Sequence, residues 1–379
     1  MSIWKIPLFD SDIGDEETAA ATKVLTSKWL TMGEITKQFE DKFCEFLGCK
    51  YAFAVSNGTT ALHLANIVLG LGSGDEVIVP SLTFVATVNS VLYTGATPVF
   101  ADIVGEDDLN ISSADIEKKI TPRTRAIMVV HYGGYPCDMT RIMEIAARHN
   151  LFVIEDTAHA PGAEIDGKSC GTIGQCGCFS FFSNKNMATG EGGMLVTDRD
   201  DLAEKIRLLR SHGMTSLTLD RYKGHSYSYD VVALGYNYRV TEICSAIGMV
   251  QLKKLPANNK RREELVSYYR SRFADVDGIT IPFKNYRGTS TFHIFPILVN
   301  SKIDRTKFMA FLKQRGIQTS IHYPPVHLFS YHKKYFRDGD QLSVTAQLAK
   351  REVTLPLYPG LQFRGIDYII DTIKEFLKQ

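Results

Sequence analysis

The chain of 379 residues carries 43 Lys and Arg against 42 Asp and Glu, a formal net charge of +1, and 44% of its residues are hydrophobic. This length is large for a single core and predicts two domains, and the charge balance argues against nucleic acid or an anionic membrane as a partner. The N-terminal residues lack a signal-peptide pattern and no apolar run has membrane length, so we expect a cytoplasmic protein without a membrane partner.

The first part of the chain predicts two helices and then a sheet. Apolar residues recur at helical spacing from Asp15 to Leu25, residues 27–33 interrupt the pattern, and a second helix begins near Ile35. From Tyr51 onward, short apolar runs alternate with longer amphipathic stretches, which is typical of a parallel sheet covered by helices on both faces. The predicted strands are 51–55, 76–79, 98–101, 126–130, 152–154, 178–182 and 193–197.

The rest of the chain mixes helices and strands without this regular alternation. Helices are predicted at 201–211, 239–255, 258–272 and 305–315 and at the C-terminus, strands at 279–281 and 291–299, and a further segment at 318–323. We place a domain boundary near residues 253–259. The predicted fold class is α/β, with a large domain of residues 1–253 and a smaller α+β domain of residues 254–379.

A candidate phosphate site follows the first predicted strand. The segment Ser56-Asn-Gly-Thr-Thr60 opens a helix, whose first backbone N–H groups and positive dipole end favour an anion. Plain N-capping by Ser56 or Asn57 would explain the same residues. The glycine-rich segment 70–75 does not predict dinucleotide binding, because it follows a helix and precedes a strand, the reverse of the required order.

Acidic residues end the predicted strand 152–154. Asp156 stands at the carboxyl end of a buried strand, where α/β sheets bind ligands, and could pair with a protonated ring nitrogen. Glu155 competes for that role, and a strand-end carboxylate could instead cap the following turn. His159 is a candidate donor to a ligand oxygen, or else a histidine of the core.

A lysine and an aromatic residue complete the set of candidates. Lys185 lies between two predicted strands, just before a glycine-rich turn. Partial burial would lower its pKa and make its amine a nucleophile able to form a Schiff base, whereas a solvated loop lysine is the alternative. Phe84 could offer a ring face for stacking or fill the core. A phosphate site, a carboxylate for a pyridinium, an aromatic face and a Schiff-base lysine are together what pyridoxal 5′-phosphate requires.

The seven cysteines predict neither disulfides nor a metal site. They are scattered through the chain without a Cys-x-x-Cys motif, so we interpret them as reduced thiols that mostly fill the core. Cys176-Gly-Cys178 has no accompanying pair of ligands at the spacing that a metal site needs, and we expect no bound metal.

Over essentially its whole length the chain resembles the pyridoxal-phosphate sugar aminotransferases of the DegT/StrS type. The matching segments are residues 29–33, 56–64, 74–80, 83–87, 154–159, 179–185, 190–194, 209–213 and 235–239. The resemblance implies fold type I architecture, in which a mostly parallel seven-stranded sheet flanked by helices binds the cofactor.

The resemblance also implies roles for individual residues. Lys185 would form the Schiff base, Asp156 would pair with the pyridine nitrogen, and His159 would lie near the phenolic oxygen. Phe84 would stack on the ring. The residues implied to hold the phosphate are Gly58, Thr59, Thr60 and Ser180. Asn237 would reach the phosphate in the neighbouring subunit, which implies a homodimer with shared active sites.

The implied activity is transfer of an amino group from L-glutamate to a keto group of a nucleotide-linked deoxysugar in bacterial surface-glycan or glycoside biosynthesis. Carbon 4 is favoured over carbon 3 as the position. Lys185 argues against the related sugar 3-dehydratases, which carry histidine there. The candidate substrate residues are Trp29, Thr31, Arg239, His322 and His327. A cyclitol aminotransferase and a cofactor-binding regulator without turnover stay as alternatives, and the nucleotide cannot be predicted.

Overall fold

The structure is a computed structural model that describes residues 4–216, 224, 228–336 and 341–378. Its helices are α1 (Asp15–Ser27), α2 (Glu34–Leu47), α3 (Gly58–Val68), α4 (Val85–Leu92), α5 (Ser113–Lys119), α6 (Met139–His149), α7 (Asp200–Leu209), α8 (Glu242–Arg272), α9 (Arg305–Gln314), α10 (Ser343–Leu348) and α11 (Phe363–Leu377). Its strands are β1 (Tyr51–Val55), β2 (Glu76–Pro80), β3 (Thr97–Ala101), β4 (Thr124–Val130), β5 (Phe152–Asp156), β6 (Glu164–Ile165), β7 (Lys168–Ser169), β8 (Cys176–Ser180), β9 (Gly193–Thr197), β10 (Ile279–Thr280), β11 (Phe295–Val299) and β12 (Glu352–Leu355).

A seven-stranded sheet organises the large part of the molecule, in the order β1-β9-β8-β5-β4-β2-β3. Strand β9 runs antiparallel to both of its neighbours, and the other pairs are parallel. Six strands therefore end at the same edge of the sheet, the position where parallel sheets place ligands. The predicted mostly parallel seven-stranded sheet is confirmed.

Helices cover both faces of this sheet because its strands are apolar on both sides. On one face, α3 and α4 pack against strand residues such as Val77 and Val79, and on the other face α6 packs against Ile78 and Val153. A third cluster joins α2 and α8 to β8 through residues that include Phe43 and Phe179. Burial on both faces holds the strand ends in fixed positions.

The C-terminal part forms a three-stranded antiparallel sheet in the order β10-β11-β12. Its core includes residues of α8, α9 and α11. Hydrogen bonds join it to the large part of the molecule, and two of them lie just beyond the ends of β2 and β3. The Ser81 carbonyl accepts from the Val326 N–H at 2.9 Å, and the buried Asp102 carboxylate accepts from the Thr345 N–H at 2.7 Å.

Helix α8 is longer than the sequence predicts. Two helices were expected at 239–255 and 258–272, but one helix of 31 residues runs through Pro256 and across the expected domain boundary. A proline inside a helix removes one backbone hydrogen bond. Leu255 and Leu265, both fully buried, anchor the helix on the two sides of the proline, and this packing outweighs the local breaking signal.

The N-terminus of α2 is capped by a residue from α8. The buried carboxylate of Glu242 accepts from the backbone N–H groups of Gly33, Ile35 and Thr36 at 2.8, 2.9 and 2.8 Å. The first N–H groups of a helix have no partner within the helix, and a negative charge there also interacts favourably with the helix dipole. Within the described ranges, no helix has the length and apolar character of a membrane span.

Candidate active site

A cavity of about 380 Å³ opens at the edge of the sheet where the six strands end. This size is within the usual range for small-molecule sites. Its lining includes eight of the residues that the sequence singled out, which are Gly58, Thr59, Phe84, Asp156, His159, Ser180, Lys185 and His322. Residues from the ends of β1, β2, β5 and β8 and from the C-terminal part thus meet at one site.

The N-terminus of α3 supplies one wall of the cavity. The Asn57 side chain caps the helix by accepting from the Thr60 N–H at 2.9 Å, and the Thr60 hydroxyl donates back to the Asn57 carbonyl at 2.8 Å. Thr60 is therefore engaged within the cap, whereas Gly58 and Thr59 line the cavity. Their backbone N–H groups belong to the first turn, which has no acceptors within the helix.

Gly58 allows Ser180 to approach this helix end closely. A Cβ atom on residue 58 would lie 2.8 Å from the Ser180 Cβ, so a larger residue would push β8 away from the helix. The first turn of α3 and the Ser180 hydroxyl consequently face one small volume. A phosphate group is suited to such a helix end.

Asp156 is held as a fixed acceptor at the cavity wall. The Thr87 hydroxyl donates to its carboxylate at 2.8 Å, and the Ala158 N–H donates at 3.2 Å. Burial raises the pKa of Asp156, while these hydrogen bonds and the nearby Lys185 lower it. A cation at its remaining acceptor position would therefore be strongly favoured.

Glu155 points to the opposite side of the strand, as alternation along a strand requires. Its carboxylate accepts from the N–H groups of Gly171, Ile173 and Gly174 at 2.8, 2.7 and 2.7 Å, and it lies 3.0 Å from His131 Nε2. Glu155 is not among the described residues that line the cavity. Glu155 thus has a structural explanation that Asp156 lacks.

Lys185 lies in the connection between β8 and β9, where its backbone N–H donates to the Phe182 carbonyl at 2.8 Å. Burial lowers the pKa of its amine to about 8, although the Asp156 charge acts in the opposite direction. A substantial fraction of the amine is neutral near pH 8, and a neutral amine can act as a nucleophile or a base.

His159 and Tyr323 form a hydrogen-bonded chain with a defined direction. His159 Nδ1 accepts from the Gly133 N–H at 3.3 Å, and burial lowers the pKa of the ring, so its single proton is on Nε2. Nε2 lies 2.9 Å from the Tyr323 hydroxyl oxygen and donates to it. The Tyr323 hydroxyl can then direct its own proton to an acceptor in the cavity.

His322 has the opposite tautomer. The Thr354 hydroxyl donates to the Glu352 carboxylate at 2.6 Å, so its oxygen must accept from His322 Nδ1, which lies 2.8 Å away. Burial lowers the pKa of His322 to about 3, which keeps the ring neutral. Nε2 is then an acceptor beside the Tyr323 donor.

Other predicted residues lie outside the lining of this cavity. His327 Nδ1 bonds the Ser81 hydroxyl at 2.6 Å, the Arg239 guanidinium donates to the Ser211 hydroxyl at 3.0 Å, and Asn237 pairs with Ser211 through its backbone. Trp29 packs beside Gly33 ahead of α2, and Thr31 is exposed.

Among the lining residues that sequence reasoning missed are the polar side chains of Tyr323, Asn184 and Glu191. Each lies within a segment that the sequence analysis singled out. Tyr323 directly follows His322, and Asn184 directly precedes Lys185. Their closeness in sequence to candidate residues could have identified them as possible site residues.

The residues present fit pyridoxal phosphate. The helix end with Ser180 suits a phosphate, the carboxylate of Asp156 suits a protonated ring nitrogen, and the amine of Lys185 suits an aldehyde. Phe84, whose side chain is 56% exposed, offers a ring face to the same cavity.

Comparisons with known proteins agree with this geometry. The model of the DegT/DnrJ/EryC1/StrS aminotransferase family matches residues 11–374. The spore coat polysaccharide biosynthesis protein SpsC of Bacillus subtilis is 41% identical over 373 residues, which cover 97% of this chain and 95% of SpsC.

Two solved structures are similar throughout. Helicobacter pylori PseC, an aminotransferase involved in the biosynthesis of pseudoaminic acid, has a TM-score of 0.92 and 32% identity, with 98% of this chain and 99% of PseC covered. The E. coli GDP-4-keto-6-deoxy-D-mannose-3-dehydratase, with bound hydrated pyridoxal phosphate, has a TM-score of 0.89 and 29% identity, with 98% and 99% covered. The chain belongs to the DegT/DnrJ/EryC1/StrS aminotransferase family and is a fold type I aminotransferase that depends on pyridoxal phosphate.

Proposed function

We propose that the protein transfers the amino group of L-glutamate to a keto group of a nucleotide-linked deoxysugar, with carbon 4 as the favoured position. The observation that carries this proposal is that Lys185, Asp156, Tyr323 and His322 line one cavity. A relative in polysaccharide biosynthesis and a neighbour in aminosugar biosynthesis support a sugar acceptor.

The cofactor, when bound, supplies an electron sink that makes the α-carbon of the amino acid acidic. We propose that Gly58, Thr59 and Ser180 hold its phosphate and that Phe84 covers its ring. Asp156 keeps the ring nitrogen protonated, because a buried carboxylate with fixed hydrogen bonds favours a positive partner. Asp156 thereby controls the strength of the electron sink.

Lys185 moves the proton. Its neutral amine would take the proton from the α-carbon of the donor, and the resulting ammonium would deliver that proton, as a general acid, to the carbon of the cofactor that carried the aldehyde. A pKa near 8 allows the same nitrogen to do both in neutral solution. Histidine at this position would give the dehydratase branch of the family, so Lys185 supports transamination.

The hydroxyl of Tyr323 and the ring of His322 at the cavity wall suit a hydroxyketone. The Tyr323 O–H can donate to a keto oxygen, and His322 Nε2 can accept from a hydroxyl on the adjacent carbon. The hydrogen-bonded chains through His159 and through Thr354 fix these directions. A deoxysugar with its ketone beside a hydroxyl presents this pattern.

We further propose a cytoplasmic homodimer with shared active sites, serving surface-glycan or glycoside biosynthesis. Asn237, outside its own chain's cavity lining, would reach the phosphate of the partner's cofactor. Trp29, Thr31 and Arg239 would contribute to the sugar side of the site.

The test follows the two half-reactions separately. Purified holoenzyme is mixed with single amino acids, and loss of the cofactor's aldehyde-form absorbance identifies the donor. The amine form is then offered GDP-, UDP- and dTDP-linked 4-keto and 3-keto deoxysugars and a keto cyclitol, and recovery of the absorbance identifies the acceptor.

We expect glutamate to react in the first step and a 4-keto sugar nucleotide in the second. Recovery with the cyclitol alone would replace the proposed substrate class. No reaction with any amino acid would instead favour a regulator without turnover.

A further inference from the structure

Three of the seven cysteines lie outside the buried core, and two of them are neighbours. Cys44, Cys49 and Cys244 are partly exposed, whereas Cys137, Cys170, Cys176 and Cys178 are buried. Cys44 is in the last turn of α2, and Cys49 follows that helix by two residues. Cys44 and Cys49 pack against the third core cluster and stay partly exposed.

The end of α2 brings these two side chains together. Gly48 has a positive φ of 74°, and the Cys44 carbonyl accepts from the N–H groups of both Gly48 and Cys49, at 2.8 and 3.2 Å. The bond from Cys49 is the six-to-one bond of a Schellman-type helix end, which commonly brings the side chains of the first and sixth residues together. In most helices that contact is apolar, but here it joins two thiols.

The backbone geometry also suits a disulfide. Standard bond lengths and the 3.2 Å hydrogen bond limit the separation of the two Cα atoms to at most about 7 Å. Disulfides usually span Cα separations of roughly 4.4–6.8 Å. In the reduced chain the Cys49 thiol donates to the Tyr51 carbonyl at 3.7 Å, and each of the two thiols shifts the pKa of the other.

We propose that Cys44 and Cys49 are a reversible dithiol–disulfide site that a hydroperoxide oxidises. The Cys44 thiolate attacks the terminal peroxide oxygen, the O–O bond breaks, and the leaving oxygen takes up a proton. Cys44 is then a sulfenic acid. The Cys49 sulfur attacks the Cys44 Sγ, the S–O bond breaks, and water leaves with the Cys49 proton. Two thiols are oxidised while one hydroperoxide is reduced.

Cys44 is the thiol that reacts first. The neighbouring Cys49 thiol lowers the pKa of Cys44, whereas Cys44 and burial raise the pKa of Cys49. Burial and the charges of Asp41 and Glu40 raise the pKa of Cys44, and Lys37, two turns earlier on the same helix, lowers it. Thiolate character and exposure are what make a cysteine susceptible to peroxide.

The disulfide would staple the end of α2 to the start of β1, at the edge of the sheet opposite the cofactor cavity. Beneath it, Phe43 and Phe46 pack against the third core cluster. Because β1 separates the pair from the cavity, the proposal does not depend on the sugar substrate or on turnover.

A single peptide makes the test direct. Trypsin cleaves after Lys42 and Lys50, so both cysteines are in the peptide Phe43–Lys50 and no other cysteine is. Native holoenzyme is treated with a small excess of hydrogen peroxide, the remaining thiols are alkylated, and the digest is analysed by mass spectrometry. Cys44→Ser, Cys49→Ser and the matched control Cys244→Ser are treated in parallel.

We expect oxidation to lower the mass of this peptide by two hydrogen atoms in the wild type and in Cys244→Ser. Dithiothreitol should reverse that change. Cys49→Ser should accumulate sulfenic or sulfinic acid on Cys44, and Cys44→Ser should react at least tenfold more slowly. Over-oxidised Cys44 without a disulfide in the wild type, a link to another cysteine, or an unmodified peptide would overturn the proposal.

Discussion

At the scale of single residues, the two adjacent carboxylates of β5 show how strand alternation assigns roles. Glu155 is satisfied by three backbone N–H groups on one side of the sheet, and Asp156 faces the cavity on the other side. Their sequence neighbourhood is the same, so only the direction of the side chain separates a structural acid from a candidate catalytic one.

Asp156→Asn should keep the fold and some cofactor while losing most of the transaminase activity, because an amide cannot favour the protonated ring nitrogen by its charge. The measurement is the rate of each half-reaction, with the melting temperature as a check on folding. Glu155→Gln should instead lower the melting temperature, while the folded protein keeps its transaminase activity. Wild-type rates in Asp156→Asn would transfer the role to another group.

The lowered pKa of Lys185 predicts how the apoprotein takes up its cofactor. Burial disfavours the ammonium, so the amine is mostly neutral above pH 8 and mostly charged below it. Only the neutral amine attacks the aldehyde, and the rate of covalent attachment should therefore rise about tenfold per pH unit up to pH 8 and then level off.

Stopped-flow absorbance measures this rate, and borohydride reduction followed by peptide mapping verifies that the label is on Lys185. In Asp156→Asn the midpoint should move to lower pH, because the Asp156 charge raises the Lys185 pKa. A profile that still rises steadily above pH 9 would indicate an ordinary solvated lysine.

Tyr323→Phe tests the proposed donor to the acceptor ketone. Loss of one hydrogen bond should slow the sugar half-reaction roughly tenfold and leave the glutamate half-reaction nearly unchanged. Tyr331→Phe is the matched control, because Tyr331 is 60% exposed and lies outside the cavity lining. Equal slowing of both half-reactions would mean that Tyr323 acts on the cofactor rather than on the sugar.

Sequence patterns were informative about these residues where strand ends were involved. Lys185, Asp156 and Gly58 follow apolar runs, and parallel strands place such ends together. Tyr323 and the orientation of His322 could not be predicted in this way. The orientation of His322 depends on Thr354, 32 positions away in sequence. Tyr323 bonds His159, which is 164 positions away and becomes a neighbour only after the two parts of the chain pack together.

At the scale of elements, the Glu242 cap links α2 to α8 across 209 positions of sequence. Glu242→Gln keeps one acceptor oxygen but places an amide group against a backbone N–H. We expect a loss of about 2 kcal/mol in the free energy of unfolding, typical of hydrogen bonds to a buried charge. Urea denaturation of the apoprotein measures it.

Glu45→Gln is the control for this change. Glu45 is exposed near the C-terminus of α2. Among the ion pairs of the described residues, it pairs only with Lys42. Its replacement should alter stability by less than about 0.5 kcal/mol. If the two variants are equally stable, water replaces the carboxylate and the cap contributes little.

The local sequence pattern predicted where strands lie along the chain better than it predicted the direction in which they run in the sheet. β1 and β9 have the bounds that their apolar runs predict, Tyr51–Val55 and Gly193–Thr197. An apolar run is the same in both directions, so the antiparallel course of β9 could not be predicted. Pro256 led to the wrong prediction that the helix ends there. Buried residues on both sides of the proline keep the helix continuous.

At the scale of the whole molecule, the proposed shared site predicts complementation between inactive subunits. Lys185→Ala and Asn237→Ala would fall in different sites of a mixed dimer, leaving one site with both defects and the other intact. Random exchange of equal amounts should restore about a quarter of wild-type activity, provided that Asn237→Ala alone is strongly impaired.

Lys185→Ala mixed with Asp156→Asn is the control, since both residues belong to the same cavity and every mixed site keeps one defect. Native mass spectrometry confirms that subunits have exchanged. Confirmed exchange without recovery in the first mixture would place Asn237 outside the partner's site.

The continuous course of α8 decides whether the protein can be produced in pieces. A chain cut at residue 253 would end in the middle of this helix and would lack Tyr323 and His322 of the cavity wall. The complementary fragment would begin inside a helix without the buried contacts of its first half. Recombinant fragments of either half should therefore be insoluble, and genetic fusions or split reporters are better attached at the termini than within α8.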